Sequence, residues 1–259
     1  MFEYPLIRFD DKKWLEELQQ GKLFLRNALY YQYLESKDAA RSDVYDGSIP
    51  AQLSKVVIDG KELSNGRFMN IKAFIKSFTC CDESDFIVGS KDDRYRLLSL
   101  SNETKAAIQG FNTNSALIIM SPSRFIEQIH NAAIKNKESA ICQRVEYLSD
   151  SELQKKEESI FLEKGKEDMC NRFFEAVPFL KRQQFQKQKE FRVCISHEIE
   201  GLDYNVPIQY FEKRLCDATY TLDLGEPVDA FMVPIKTILT DGVIYDTQRD
   251  MYLIREDGF

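Results

Sequence analysis

Behind Asp10 and Asp11, the apolar residues Trp14, Leu15 and Leu18 recur at the spacing of one helix face, and Gly21 supplies a left-handed stop. The pattern predicts a short amphipathic helix there. Residues 23–26 then predict a brief strand, followed by an aromatic segment with Tyr30, Tyr31 and Tyr33 and a polar loop through Arg41, Ser42, Asp43, Asp46 and Gly47. Val56, Val57 and Ile58 run into Asp59-Gly60, a dipeptide that readily takes the positive φ of a tight turn, which predicts a β-hairpin. From residue 68 to 79 the pattern stays β-like, with Ile71, Phe74, Ile75 and Phe78 apolar, and residues 73–81 read as a central strand.

Residues 103–109 fit a short helix ending at Gly110, and residues 116–120 form a fully apolar run of strand length. Ser121-Pro122 is the pairing of N-cap and first helical residue, and Phe125, Ile126, Ile129 and Ala133 continue that helix. Residues 140–148 read as a strand, and 150–182 as one or two helices rich in Glu and Lys. The C-terminal third returns to strands at 191–195, 220–224, 231–233 and 243–245, with Gly225 and Pro227 as breaks. Helices and strands intermingle without strict alternation, which predicts an α+β fold with a mainly antiparallel or mixed central sheet and flanking helices. A single domain over residues 1–259 is expected, with a potential subdivision near residue 150.

Composition narrows the function classes. The 259 residues are 43% hydrophobic and 30% charged, enough for a self-sufficient core. The net charge of −7 gives the molecule as a whole no reason to sit on nucleic acid or an anionic membrane. No apolar stretch approaches the roughly 20 residues of a membrane helix, and the N-terminus lacks a secretory layout, so a cytoplasmic location is expected. The six cysteines form no CxxC pair and read as reduced thiols, mostly buried. With two histidines, a His-rich metal site or a Ser/His/Asp triad has little raw material.

The sharpest chemical pattern is Gln188-Lys189-Glu190-Phe191-Arg192-Val193. Strand alternation projects Gln188 and Glu190 to one side as the chain enters a sheet. A carboxylate so placed can stabilise a sugar cation, and an amide two residues earlier can hold the incoming group. The ordinary alternative is an ion pair between Glu190 and Arg192 or a nearby lysine. Arg26, closing its strand, can grip a phosphate or pyrophosphate with two parallel hydrogen bonds, where the alternative is an exposed arginine at a strand end. Ser77 and Thr79 alternate to one face and could line the same groove, or simply form the polar side of a half-buried strand. Residues 181–192 also carry Lys181, Arg182, Lys187, Lys189 and Arg192 with Phe185 and Phe191 interleaved. That stretch suits either contact with nucleic-acid phosphates or a solvated face beside acidic neighbours.

The arginine on an early strand, the Ser-x-Thr pair and the Gln-x-Glu entering a later strand resemble the arginine, serine and glutamate signature of ADP-ribosyltransferases. The resemblance implies NAD as cofactor, with Arg26 on its phosphates and Ser77 bracing the nicotinamide side. It further implies Glu190 as the catalytic carboxylate, Gln188 selecting a protein or nucleic-acid acceptor, and Tyr30 and Tyr31 stacking on nicotinamide. A broader layout resembles a large bacterial and phage family of intracellular proteins, domain of unknown function 2971. That layout comprises the Trp14 helix ending at Gly21, the Leu-Phe-Leu-Arg strand, the tyrosine-rich loop to Asp46-Gly47, the Gln-Lys-Glu-Phe-Arg-Val strand and Leu222-Asp223-Leu224-Gly225. This second resemblance implies a role in antiviral defence or stress, as an enzyme or as a non-enzymatic interaction module. The chain departs from it in carrying Ser42-Asp43 and Tyr45-Asp46 where an Asn-Asp pair is expected in the early loop.

Overall fold

Strand β1 (Leu6–Asp10) alternates faces residue by residue, so Leu6 enters one core and Ile7 and Phe9 another. In this computed structural model the described residues are 3–28, 30, 48–50, 56–58, 61–63, 67–69, 72–88, 94–162, 174–199 and 217–255. Helix α1 (Lys12–Gln19) follows at once, with Asp11 at its N-cap position and Leu15 and Leu18 buried. Trp14 lies at the edge of that face, exposed, and stacks on Phe24 at 5.2 Å between ring centroids. The helix stops where Gly21 takes φ +90°, and a Cβ there would lie 2.3 Å from the Glu226 backbone oxygen. Only glycine combines that backbone with that approach. The expected strand then forms as β2 (Lys22–Asn27).

Four short strands follow, β3 (Ser48–Pro50), β4 (Val56–Ile58), β5 (Lys61–Leu63) and β6 (Arg67–Met69). β4 and β5 pair antiparallel with Ile58 opposite Lys61, which is the hairpin predicted at Asp59-Gly60. β7 (Ala73–Cys80) is the central strand, and β8 (Phe86–Val88) and β9 (Tyr95–Leu98) follow it. Helix α2 (Asn102–Gln109) is capped by the Ser101 hydroxyl, which accepts from the Thr104 N–H. β10 (Ser115–Ile119) is buried on both faces, as its unbroken apolar run requires. Helix α3 (Pro122–Lys135) begins at the predicted Pro122, but the Ser121 side chain does not cap it. Glu3 does, accepting from the Ser123 N–H at 3.0 Å.

β11 (Ser139–Arg144), β12 (Glu146–Leu148), α4 (Asp150–Leu162) and β13 (Leu180–Arg182) come next. The helical expectation for 150–182 is corrected at its end: residues 177–179 form a single tight turn containing Pro178, and β13 is extended. β14 (Glu190–Ser196), β15 (Thr219–Asp223), β16 (Ala230–Pro234), α5 (Ile235–Leu239), β17 (Val243–Asp246) and β18 (Met251–Ile254) complete the order. β1, β3, β8, β9 and β18 are strands that the hydrophobic pattern did not single out.

The main sheet runs β11-β14-β7-β1-β10-β16, and β2 joins β7 as a branch with β15 beyond it. Its pairings are antiparallel; β12 and β13 form a separate parallel pair. α1 and α3 cover one face over Leu6, Phe78, Leu117 and Val193. On the other face, Ile7, Ala116 and Val233 pack under a second sheet, β18-β17-β9-β8, while Ile75 and Cys194 pack under Phe174 and Phe179. This is an α+β architecture with a large, mainly antiparallel sheet and flanking helices. Among the described residues, no helix is long and apolar enough to cross a membrane, and Cys80, Cys81, Cys142 and Cys194 are free thiols.

Candidate functional site

Three adjacent strands set the candidate residues on one face. Ser77 lies opposite Arg192, Thr79 opposite Glu190, and Ile75 opposite Arg26, and directly opposed residues project to the same side. Arg26, Ser77 and Glu190 therefore share the face of β7 that carries Ile75, Ser77 and Thr79. Arg26 and Glu190 are separated by four residues along β7, about 13 Å at the usual strand rise, with one strand spacing to either side.

Glu190 is 8% exposed and its carboxylate is fully engaged. Lys181 Nζ donates to Oε1 at 2.6 Å and Arg192 Nε donates to Oε2 at 2.8 Å. Lys181 also donates to the Gln188 amide oxygen at 2.8 Å, and Arg192 Nη1 donates to the Pro178 carbonyl at 2.7 Å. The Glu190 backbone N–H donates to the Tyr147 hydroxyl at 2.7 Å. Burial opposes ionisation of Glu190, but Arg192 and Lys181 outweigh it and hold the carboxyl well below the usual carboxylate range. Gln188 and Glu190 do meet on one side, as alternation suggested, although Gln188 belongs to a tight turn rather than to the strand. Lys189, at φ 47°, closes that turn and swings β14 into the sheet.

Arg26 is half-buried, with its guanidinium over the Tyr30 ring at 4.0 Å and near the Phe24 ring at 5.6 Å. Tyr30 thus belongs with Arg26, whereas Tyr31 lies outside the described residues. Ser77 is half-buried, and its backbone carbonyl accepts from Arg8 Nη1 at 2.8 Å. The sequence pattern overlooked Arg8 and Tyr147, whereas it placed Lys181 within the basic stretch and a nearby lysine as a partner for Glu190. The one local signal was the alternation of Arg8, Phe9 and Asp10, polar, apolar and polar, which is compatible with a strand but does not single one out.

The basic stretch does not form an open cationic surface. Lys181 and Arg192 are buried on Glu190, Lys189 pairs with Asp82 at 2.8 Å and with Asp85, Lys187 lies 4.0 Å from Glu103, and Arg182 lies 3.4 Å from Asp150. Lys189 also borders a polar cleft of about 660 Å³ whose walls include Asp82, Asp85, Ser101, Lys105 and Asp241. Asp241 Oδ1 is 2.7 Å from Lys105 Nζ yet off hydrogen-bonding geometry. At the opposite end of β14, His197 Nδ1 lies 2.6 Å from Glu138 Oε1 and its ring stacks on Tyr220, whose hydroxyl donates to Oε2 at 2.7 Å. This cluster clips the end of β14 to β15 and to the turn between α3 and β11. Among the described residues, no group of three or more His, Cys, Asp and Glu is placed to hold a metal ion.

No protein-family profile matches the chain, and neither a curated protein nor a solved structure matches it.

Proposed function

We propose that this chain is an NAD-using transferase of the ADP-ribosyl type, with Arg26 at the diphosphate and Glu190 at the reacting ribose. The observation that carries the reading is the register of β2, β7 and β14, which puts Arg26, Ser77 and Glu190 on one face of three neighbouring strands. Their separation along β7 suits an extended dinucleotide better than an isolated phosphate. NAD supplies a ribose carbon that becomes electrophilic as nicotinamide leaves with its bonding electron pair. The chain's own part is to anchor the phosphates on the Arg26 guanidinium, to offer the Tyr30 ring as a stacking surface, and to set a carboxylate beside the developing positive charge. Because Glu190 is held by Lys181 and Arg192, the reading requires Lys181 to withdraw when the ligand enters. The setting in bacterial or phage conflict is carried over from the sequence resemblance.

A second reading, a non-enzymatic interaction module, is favoured by the same saturated carboxylate, since an ion pair this complete serves the fold without any ligand. Incubation with NAD labelled in the adenylate half decides between them. The transferase reading expects nicotinamide release or a labelled acceptor from wild type and a loss of at least about a hundredfold in Glu190→Gln. Equal, null behaviour of the two proteins leaves the interaction module.

A further inference from the structure

On one side, β7 has two different neighbours. β1 pairs with it only at Leu6 with Cys80 and Ile7 with Thr79, and β2 only at Arg26 with Ile75 and Asn27 with Phe74. Between those pairings the edge of β7 faces a fork in the sheet, and the side chains that fill it are strongly cationic. Arg8 reaches across, donating through Nη1 to the Ser77 carbonyl at 2.8 Å and through Nη2 to Asp10 Oδ2 at 2.7 Å. Lys76 Nζ donates to that same oxygen at 3.3 Å. Arg26, which lies opposite Ile75 and so starts from the other face of β7, approaches the fork from β2, and the Phe24 ring lies 5.6 Å from its guanidinium and 5.9 Å from Lys76 Nζ.

Two cations thus share one carboxylate oxygen, and a third, Arg26, is close enough to repel Lys76, within a chain whose net charge is −7. Asp10 Oδ1 is already engaged by the Asp11 N–H, and Arg8 Nε is buried with no hydrogen-bond partner among the described residues. β14 offers no relief, since the residue opposite Lys76 is Val193. Burial, followed by repulsion from Arg8, brings the Lys76 ammonium down to about 7, with Asp10 opposing that shift and Arg26 adding to it. Burial works against ionisation of Asp10 too, but Arg8 and Lys76 outweigh it and bring its carboxyl down to about 2. A buried surplus of positive charge is costly until an anion supplies its partner.

We propose that the fork between β1 and β2 binds a phosphate or diphosphate group through Arg8, Lys76 and Arg26. Lys76 then takes up a proton as the anion enters. The inference shares Arg26 with the transferase reading but needs neither Glu190 nor any turnover. Its sign is definite. Below about pH 7 Lys76 is already charged in the free protein, and its protonation leaves the affinity flat. Above that pH each binding event consumes a proton, and affinity falls by up to about tenfold per pH unit.

The test is calorimetric titration of the full chain with inorganic phosphate, pyrophosphate and ADP, at about pH 6 and about pH 8.5, in buffers of low and high ionisation heat. Wild type is expected to bind at least one of these anions with a buffer-dependent heat that approaches one proton taken up per site at the higher pH, whereas at the lower pH the anion's own ionisation releases protons instead. ADP binding at least about tenfold tighter than pyrophosphate assigns a nucleotide, and equal affinity an inorganic anion. Lys76→Arg retains binding without proton uptake, and Lys76→Met, checked for folding by its melting curve, binds at least about tenfold more weakly at the lower pH. Absence of binding by all three anions at millimolar concentration, a buffer-independent heat at the higher pH, or wild-type affinity in Lys76→Met overturns the proposal. Loss of anion binding overturns this proposal, whereas anion binding without nicotinamide release from NAD overturns only the transferase reading, so the two readings fail separately.

Discussion

On the β14 side of β7, the two oxygens of Glu190 each receive one cation, and neutral acceptors, the Gln188 amide and the Pro178 carbonyl, take further donors from Lys181 and Arg192. On the opposite side, Arg8 and Lys76 compete for a single oxygen of Asp10, and among the described residues Arg8 Nε has no acceptor and the Arg26 guanidinium rests on aromatic faces. Both clusters are polar and largely buried, yet the first is closed and the second open. The contrast teaches that burial of a charged group does not itself mark a ligand site. What marks one is a donor set that the protein's own acceptors leave incomplete.

Breaking the closed cluster is expected to have the largest effect. Lys181→Met leaves Glu190 short of a partner in a water-poor environment and should lower stability by about 3–5 kcal/mol in chemical denaturation; a change below about 1 kcal/mol would show that the cluster is not closed in solution. The open cluster should respond in the opposite sense. Lys76 has a usual value of 10.5 and lies near 7 in the folded chain, so the unfolded state binds more protons between those values. Wild-type stability should therefore rise by about 4 kcal/mol as pH increases across that window, and Lys76→Met should abolish the rise. A parallel pair of pH profiles contradicts the placement of Lys76.

Acid sharpens the comparison from the other side. The Glu190 carboxyl is depressed from its usual 4.5, so its contribution is complete above that pH and is lost as pH falls below it. Glu190→Gln should show a shallower acid transition than wild type in a fluorescence-monitored titration. Arg26→Ala is expected to reduce anion affinity about tenfold with a melting temperature within a few degrees of wild type, because the guanidinium rests on rings rather than on a carboxylate. The smallest effect is expected at Trp14, where loss of an exposed stack on Phe24 in Trp14→Ala should cost about 1 kcal/mol and leave both clusters intact.

Local signals carried much of the fold. Gly21 ends α1 because its backbone is left-handed against Glu226, Ser101 caps α2, and the apolar run of β10 is buried on both faces. Each depends on residues close in sequence or on a periodicity that one element displays by itself. The Gln188 and Glu190 pairing was half legible. Their spacing suggested a shared side, but the group that joins them, Lys181, meets them only because residues 183–188 turn back and Lys189 adopts positive φ.

The sequence by itself determined the helices α1 to α3, the strands β2, β7, β10 and β14, the α+β class and the presence of cations and carboxylates on early and late strands, since these follow from composition and from periods of two and 3.6 residues. Tertiary structure alone decided which charges meet. Arg8, Arg26 and Lys76 come from three strands, and their convergence depends on where β1 and β2 separate along β7. That separation is a matter of register between distant segments, which no periodicity within one segment encodes.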